Sequence, residues 1–139
     1  MIELDNRTSL NVNLDMLQNI SDFLNDKDIE LIITDDKEMQ EINKIHRQID
    51  KSTDVLSFPY EDMPISPLGS IVISALHVET LAKELGHTND DELALLFTHG
   101  LLHLLGYDHE VDNGEMREKE LQLIEKFNLP KSLIVRTQG

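Results

Sequence analysis

The sequence contains no cysteine, which excludes disulfide staples and thiolate metal sites together. It is also short of positive charge. Twelve lysines and arginines stand against 27 aspartates and glutamates, for a formal net charge of −15. That balance favours solubility and argues against indiscriminate binding to nucleic acid or anionic lipid. Long apolar runs are missing as well. The longest, Leu93 to Tyr107, is interrupted by Thr98, His99 and His103 and is too short to span a bilayer. Met1 to Asn11 alternates apolar and polar residues with no basic start and apolar run, so no secretory signal is expected. Internal repeats, low-complexity segments and linkers are absent too. A single soluble, cytoplasmic domain spanning residues 1–139 is the expectation, long enough for one hydrophobic core.

The periodicity that is present alternates strand and helix. Ile2 to Asp5 reads as a short strand, and Leu14, Leu17, Ile20, Phe23 and Leu24 keep helical spacing behind Asn13 as N-cap. Ile29 to Thr34 is a β-branched run that predicts a buried strand. Asp35, with Glu38 three residues on, opens a helix carrying Met39, Ile42, Ile45 and Ile49. A strand over Asp54 to Phe58 is stopped by Pro59; Tyr60 to Leu68 reads as a loop, and Gly69 to Ser74 as another strand. Three helices follow. The first, Ala75 to Leu85, closes on Gly86; the second starts at Asn89, with Glu92 three residues later, and stops at Gly106. The third starts at Asp112 with Glu115 and ends before Pro130. Strands separated by helices favour parallel pairing, and the two close strands after Asp54 form an antiparallel edge. The fold class is α+β: a small mixed sheet of about four strands covered by about five helices, with a metal site at the end of a buried helix.

The informative segment is HGLLHLLGYDH, His99 to His109. The helix leading into it is apolar nearly all round, so it is buried. His99 and His103 are four residues apart and project from one face, about a turn from each other. Gly106 admits a positive φ that ends the helix, and the following turn delivers His109 from another direction. Three imidazoles leave a tetrahedral zinc ion one open position, the arrangement of a catalytic site; other divalent transition metals suit the set too. His46, His77 and His87 read as surface or capping residues. Lys44, Arg47 and Lys51 share a face if their helix is continuous, and by spacing alone they read as a solvated edge.

The histidine spacing resembles the zinc-protease pattern HExxHxxGxxH, but the general-base glutamate is replaced by Gly100. A protease is therefore disfavoured unless Asp108 or Glu110 substitutes. A phosphatase, a non-enzymatic assembly factor with a structural metal, and a core with no metal stay open on the residues alone.

The whole of HGLLHLLGYDH is similar to the signature of the YbeY family of endoribonucleases, which are linked to ribosomal RNA maturation. Asn43, Arg47 and TDVLSFP from Thr53 to Pro59 resemble the family's second segment, and LGSIVIS from Leu68 to Ser74 its third. Ser70 stands where an Asp is common and His46 where an aromatic is usual. The resemblance implies an α+β fold, one metal ion (zinc by expectation) on His99, His103 and His109, and cleavage of single-stranded RNA rather than DNA. It makes Arg47 and His99 the candidate catalytic residues, Arg47 as a planar, permanently charged fork for a phosphate. It also implies a ribosomal RNA precursor as substrate; because a chain at −15 binds free RNA weakly, that RNA is expected to be presented by the small ribosomal subunit or a protein associated with it. The mechanism that fits polarises a phosphate oxygen at the metal, with either metal-activated water near neutral pH or the RNA 2′-hydroxyl as nucleophile, while Asp108 either orients His109 or His103 or simply forms the turn.

Overall fold

A computed structural model describes residues 1–60, 66–108 and 110–130. Four strands and five helices follow one another as β1 (Ile2–Asn6), α1 (Leu14–Leu24), β2 (Ile29–Thr34), α2 (Asp36–Arg47), β3 (Val55–Pro59), β4 (Gly69–Ser74), α3 (Ala75–Leu85), α4 (Asn89–Leu104) and α5 (Glu115–Phe127). The strands form one sheet in the order β1-β2-β4-β3. The first three neighbours run parallel, and β3 pairs antiparallel with β4 as an edge strand. This is the expected mixed α+β arrangement, and its antiparallel edge is where the short 60–68 connection required it. Of that connection, residues 61–65, including Pro64, lie outside the described residues.

Pro59 belongs to β3 rather than stopping it. Ser74 N–H bonds Asp54 O and Tyr60 N–H bonds Leu68 O, so residues 54, 56, 58 and 60 face the ladder and Pro59 points its missing donor outward. An edge strand tolerates that.

One face of the sheet packs against α1, α3 and α4 through Ile29, Leu31, Ile33, Ile71 and Ile73, all fully buried with Leu96 and Phe97 of α4. The opposite face holds Met39 of α2 against Leu56 and Val72. Helix α4 is buried along almost its whole length, which is why it shows no apolar stripe: every face meets another element. Even so, among the described residues no helix is long and apolar enough to cross a membrane.

Several helix ends depart from the sequence expectation. Helix α4 is capped by Thr88, whose hydroxyl accepts the Asp91 N–H, and not by Asn89. Glu92 is fully buried and bonds His87 Nε2 at 2.8 Å instead of closing a capping box. The last helix starts at Glu115 behind Gly114 as N-cap, not at Asp112, which lies just before it and accepts the N–H groups of Gly114 and Met116. Helix α2 stops at Arg47 because Gln48 adopts a left-handed conformation (φ 59°). Lys51 therefore leaves the face shared by Lys44 and Arg47, and Lys44 sits 3.9 Å from Asp50 instead. Ile45, expected in the core, is 73% exposed, while Asn43 is buried in its place.

Candidate metal and RNA-cleavage site

Helix α4 carries the histidines because it runs under the edge of the sheet. Gly100 sits against β3 and β4. A Cβ there would lie 3.0 Å from Ile71 Cγ2 and 3.1 Å from Ser57 Oγ, and Ser57 Oγ donates to the Gly100 carbonyl at 3.0 Å. The missing protease glutamate thus has a physical reason. The position after His99 faces packed strands, not the cleft, so a carboxylate there would be squeezed rather than catalytic.

Helix α4 ends in a Schellman turn. Gly106 takes φ 98°, its N–H bonds His103 O, and Tyr107 N–H bonds Leu102 O. The turn brings the Tyr107 carbonyl 3.0 Å from His103 Nδ1. A carbonyl only accepts, so Nδ1 carries the proton and Nε2 presents its lone pair. His99 is set in a similar way from another element: its Nδ1 lies 3.1 Å from Oε1 of Glu120 on α5. The two Nε2 atoms consequently face each other 3.1 Å apart, with ring centroids 4.6 Å apart.

That arrangement is the test of whether a metal fits. Two acceptor nitrogens turned toward one point repel unless a cation lies between them. A separation of 3.1 Å is easily bridged by two zinc–nitrogen bonds of about 2.0–2.1 Å each. Metal-binding histidines commonly donate the other ring N–H to a carboxylate or backbone carbonyl, and this pair does both. The residues present fit the ion. The third expected ligand, His109, lies outside the described residues. Asp108 Oδ1 accepts the Glu110 N–H at 3.0 Å, and His103 takes the Tyr107 carbonyl rather than Asp108 as its Nδ1 partner.

His99 and His103 open on a cleft of about 460 Å³ that also meets Arg47, Asp54, Ser57 and Asp108. The structure therefore brings Arg47 into one cavity with the two histidines, although more than fifty residues separate them in sequence. Arg47 ends α2 and is exposed, a placement that the helix dipole favours for a cation. Behind it, buried Asn43 donates from Nδ2 to Lys51 O at 2.8 Å, which latches the chain leaving the helix. A second cavity of about 400 Å³, near Asn25, Tyr60 and Leu105, meets no histidine among the described residues.

The other histidines serve elsewhere. His46 packs on Phe58 with centroids 4.9 Å apart, so the imidazole fills the aromatic's place. His77 Nδ1 lies 3.2 Å from Asp36 Oδ1 and 3.1 Å from Ser74 Oγ, at the start of α3.

Glu120 is the site residue that sequence reasoning missed. A signal existed: Met116, Glu120 and Leu123 are the buried residues of α5, at i, i+4 and i+7, so a carboxylate occupies an otherwise apolar stripe.

Comparison with known proteins gives the family and the fold. The family model described as Endoribonuclease YbeY matches residues 3–128. A curated Endoribonuclease YbeY from Sulfurimonas denitrificans is 66% identical over 139 residues, covering all of both chains. One from Campylobacter jejuni is 62% identical over 126 residues, 90% of this chain and 94% of that one. The solution structure of TM1509 from Thermotoga maritima superposes with a TM-score of 0.63 at 30% identity, covering 91% of this chain and 89% of that one.

Proposed function

Because this chain belongs to the YbeY endoribonuclease family, we propose that it is a metal-dependent endoribonuclease that cuts single-stranded RNA. One ion, zinc by chemical preference, is held by His99, His103 and His109. The observation that carries the reading is the pair of Nε2 atoms, 3.1 Å apart and each fixed by a committed Nδ1, in a cleft that also contains Arg47.

When bound, the ion supplies Lewis acidity, activating water and polarising a phosphoryl oxygen. The chain's own residues do the rest. Arg47 grips a non-bridging phosphate oxygen pair through two parallel N–H donors and offsets charge that builds on the phosphoryl group. His99 holds the reacting centre against the buried α4 wall. Gly100 leaves no carboxylate beside it, and so the phosphodiester reading is favoured over peptide hydrolysis.

The substrate is a ribosomal RNA precursor, and the enzyme meets it on the small ribosomal subunit or through a protein bound there. The net charge of −15 supports this, since a chain so acidic has little affinity for free RNA. Tight, steeply salt-dependent binding to random RNA would contradict it.

The test compares wild type with His103→Ala, purified identically, on an end-labelled RNA containing paired and unpaired regions. Wild type is expected to cut unpaired positions, and the variant to lose both the metal and the cutting. Equal cutting by both proteins would trace the activity to a contaminant and sink the assignment.

A further inference from the structure

We propose that Glu120 is a positioning residue for the metal centre, whose buried negative charge holds His99 in its ligating orientation and strengthens binding of a divalent cation. This rests on the reading of His99 as a metal ligand. Three observations support it. Glu120 is 2% exposed on α5, and its Oε1 lies 3.1 Å from His99 Nδ1. That contact fixes the ring tautomer so that Nε2, on the opposite side of the imidazole, presents its lone pair beside His103 Nε2. The second carboxylate oxygen, Oε2, is buried without any hydrogen-bond partner.

The third observation separates a tuned carboxylate from a merely packed one. A buried anion with one neutral N–H partner is unfavourable where it stands. Its neighbours on the same stripe, Met116 and Leu123, are apolar, and a glutamine would keep the acceptor for His99 without burying a charge. The penalty is offset only if positive charge arrives on the far side of the His99 ring. A dication bound at Nε2 polarises the ring, strengthens the Nδ1–H contact to Glu120 and draws the two charges together through the imidazole. The carboxylate therefore opposes the metal-free fold and favours the loaded one. A merely structural hydrogen bond would stabilise both forms alike.

The sign of that difference is measurable. Full-length wild type, Glu120→Gln, Glu120→Asp and His103→Ala are stripped of metal. Each is then titrated with Zn2+ against a chromophoric chelator and melted with and without the ion. Glutamine keeps the shape and the acceptor oxygen but removes the charge. It is expected to bind Zn2+ roughly 10–100-fold more weakly while its metal-free Tm stays level or rises. Glu120→Asp, with the charge on a shorter arm, is expected to bind between the two. A Glu120→Gln protein that binds Zn2+ as wild type does, or that unfolds without metal, overturns the inference. The His103→Ala control separates that failure from a deeper one: if it binds Zn2+ like wild type, or wild type binds none, the histidine site itself is wrong and the inference falls with it.

Discussion

Helix α4 ends on Gly106 at φ 98° and helix α2 on Gln48 at φ 59°, and these two left-handed stops deliver the two sides of one cleft. The α4 side is largely buried, and both of its described imidazoles are tied. His103 is held by the carbonyl of its own turn and His99 by a carboxylate from α5. The α2 side is exposed. Among the described residues Arg47 is anchored at its base, where Asn43 latches the departing chain, and no hydrogen bond or ion pair from them holds the guanidinium. The contrast fits the roles proposed for the two sides. Two lone pairs aimed at one point tolerate little error, so their rings must be locked from behind. A guanidinium meeting a phosphate on a mobile substrate gains from reach, since its planar fork supplies the specificity by itself.

The contrast can be broken most severely at the α2 side. Arg47→Ala is expected to lower cleavage of single-stranded RNA by about 10²–10³-fold, the usual cost of deleting a donor to transition-state charge. Metal content should be unchanged by elemental analysis. Arg47→Lys should recover only part of the loss, because an ammonium cannot grip bidentately. Full cleavage by the alanine variant would remove Arg47 from the chemistry.

The stops themselves sharpen the comparison. Gly106→Ala is expected to destabilise by about 1–2 kcal/mol, the penalty of a left-handed L-residue, and to weaken Zn2+ binding by shifting the Tyr107 carbonyl off His103. Gln48→Gly should change stability by less than about 1 kcal/mol and leave Zn2+ affinity alone. Denaturant melts and chelator competition read both, and equal metal loss from the two substitutions would erase the distinction.

The smallest effect lies at the far end of α2. The Thr34 hydroxyl and then the Arg7 guanidinium hold the Glu38 carboxyl below its ordinary 4.5. Because the folded value is depressed, this contribution is present above the ordinary value and is lost as pH falls through the folded one. The Tm gap between wild type and Glu38→Gln should therefore be open at neutral pH and close on acidification. A gap that widens in acid would contradict the contact. Cleft geometry should be indifferent to it, as Glu38 lies about a helix length from Arg47.

What was legible in the sequence was whatever a short stretch of chain decides alone. The pairing of His99 with His103 follows from helical spacing, and the turn after them from a glycine that can take positive φ. The order of strands and helices, with its antiparallel edge, follows from apolar periodicity and connection length. Asn13 and Asp35 cap as their side chains suggest, accepting the Met16 and Glu38 N–H groups. Where two local solutions competed, the residue types could not choose between them: Thr88 and Asn89 are both good caps, and Gln48 bears no mark of a left-handed stop, so the Lys44, Arg47, Lys51 face looked continuous. Tertiary structure decided those, along with everything that joins distant segments. It set Glu120 behind His99, packed Gly100 against Ser57 and Ile71 and put Arg47 across the cleft from the histidines. The physical reason is the range of the interactions: spacing and backbone preference act within one or two turns, while a buried carboxylate or a close-packed glycine has meaning only once another element lies against it.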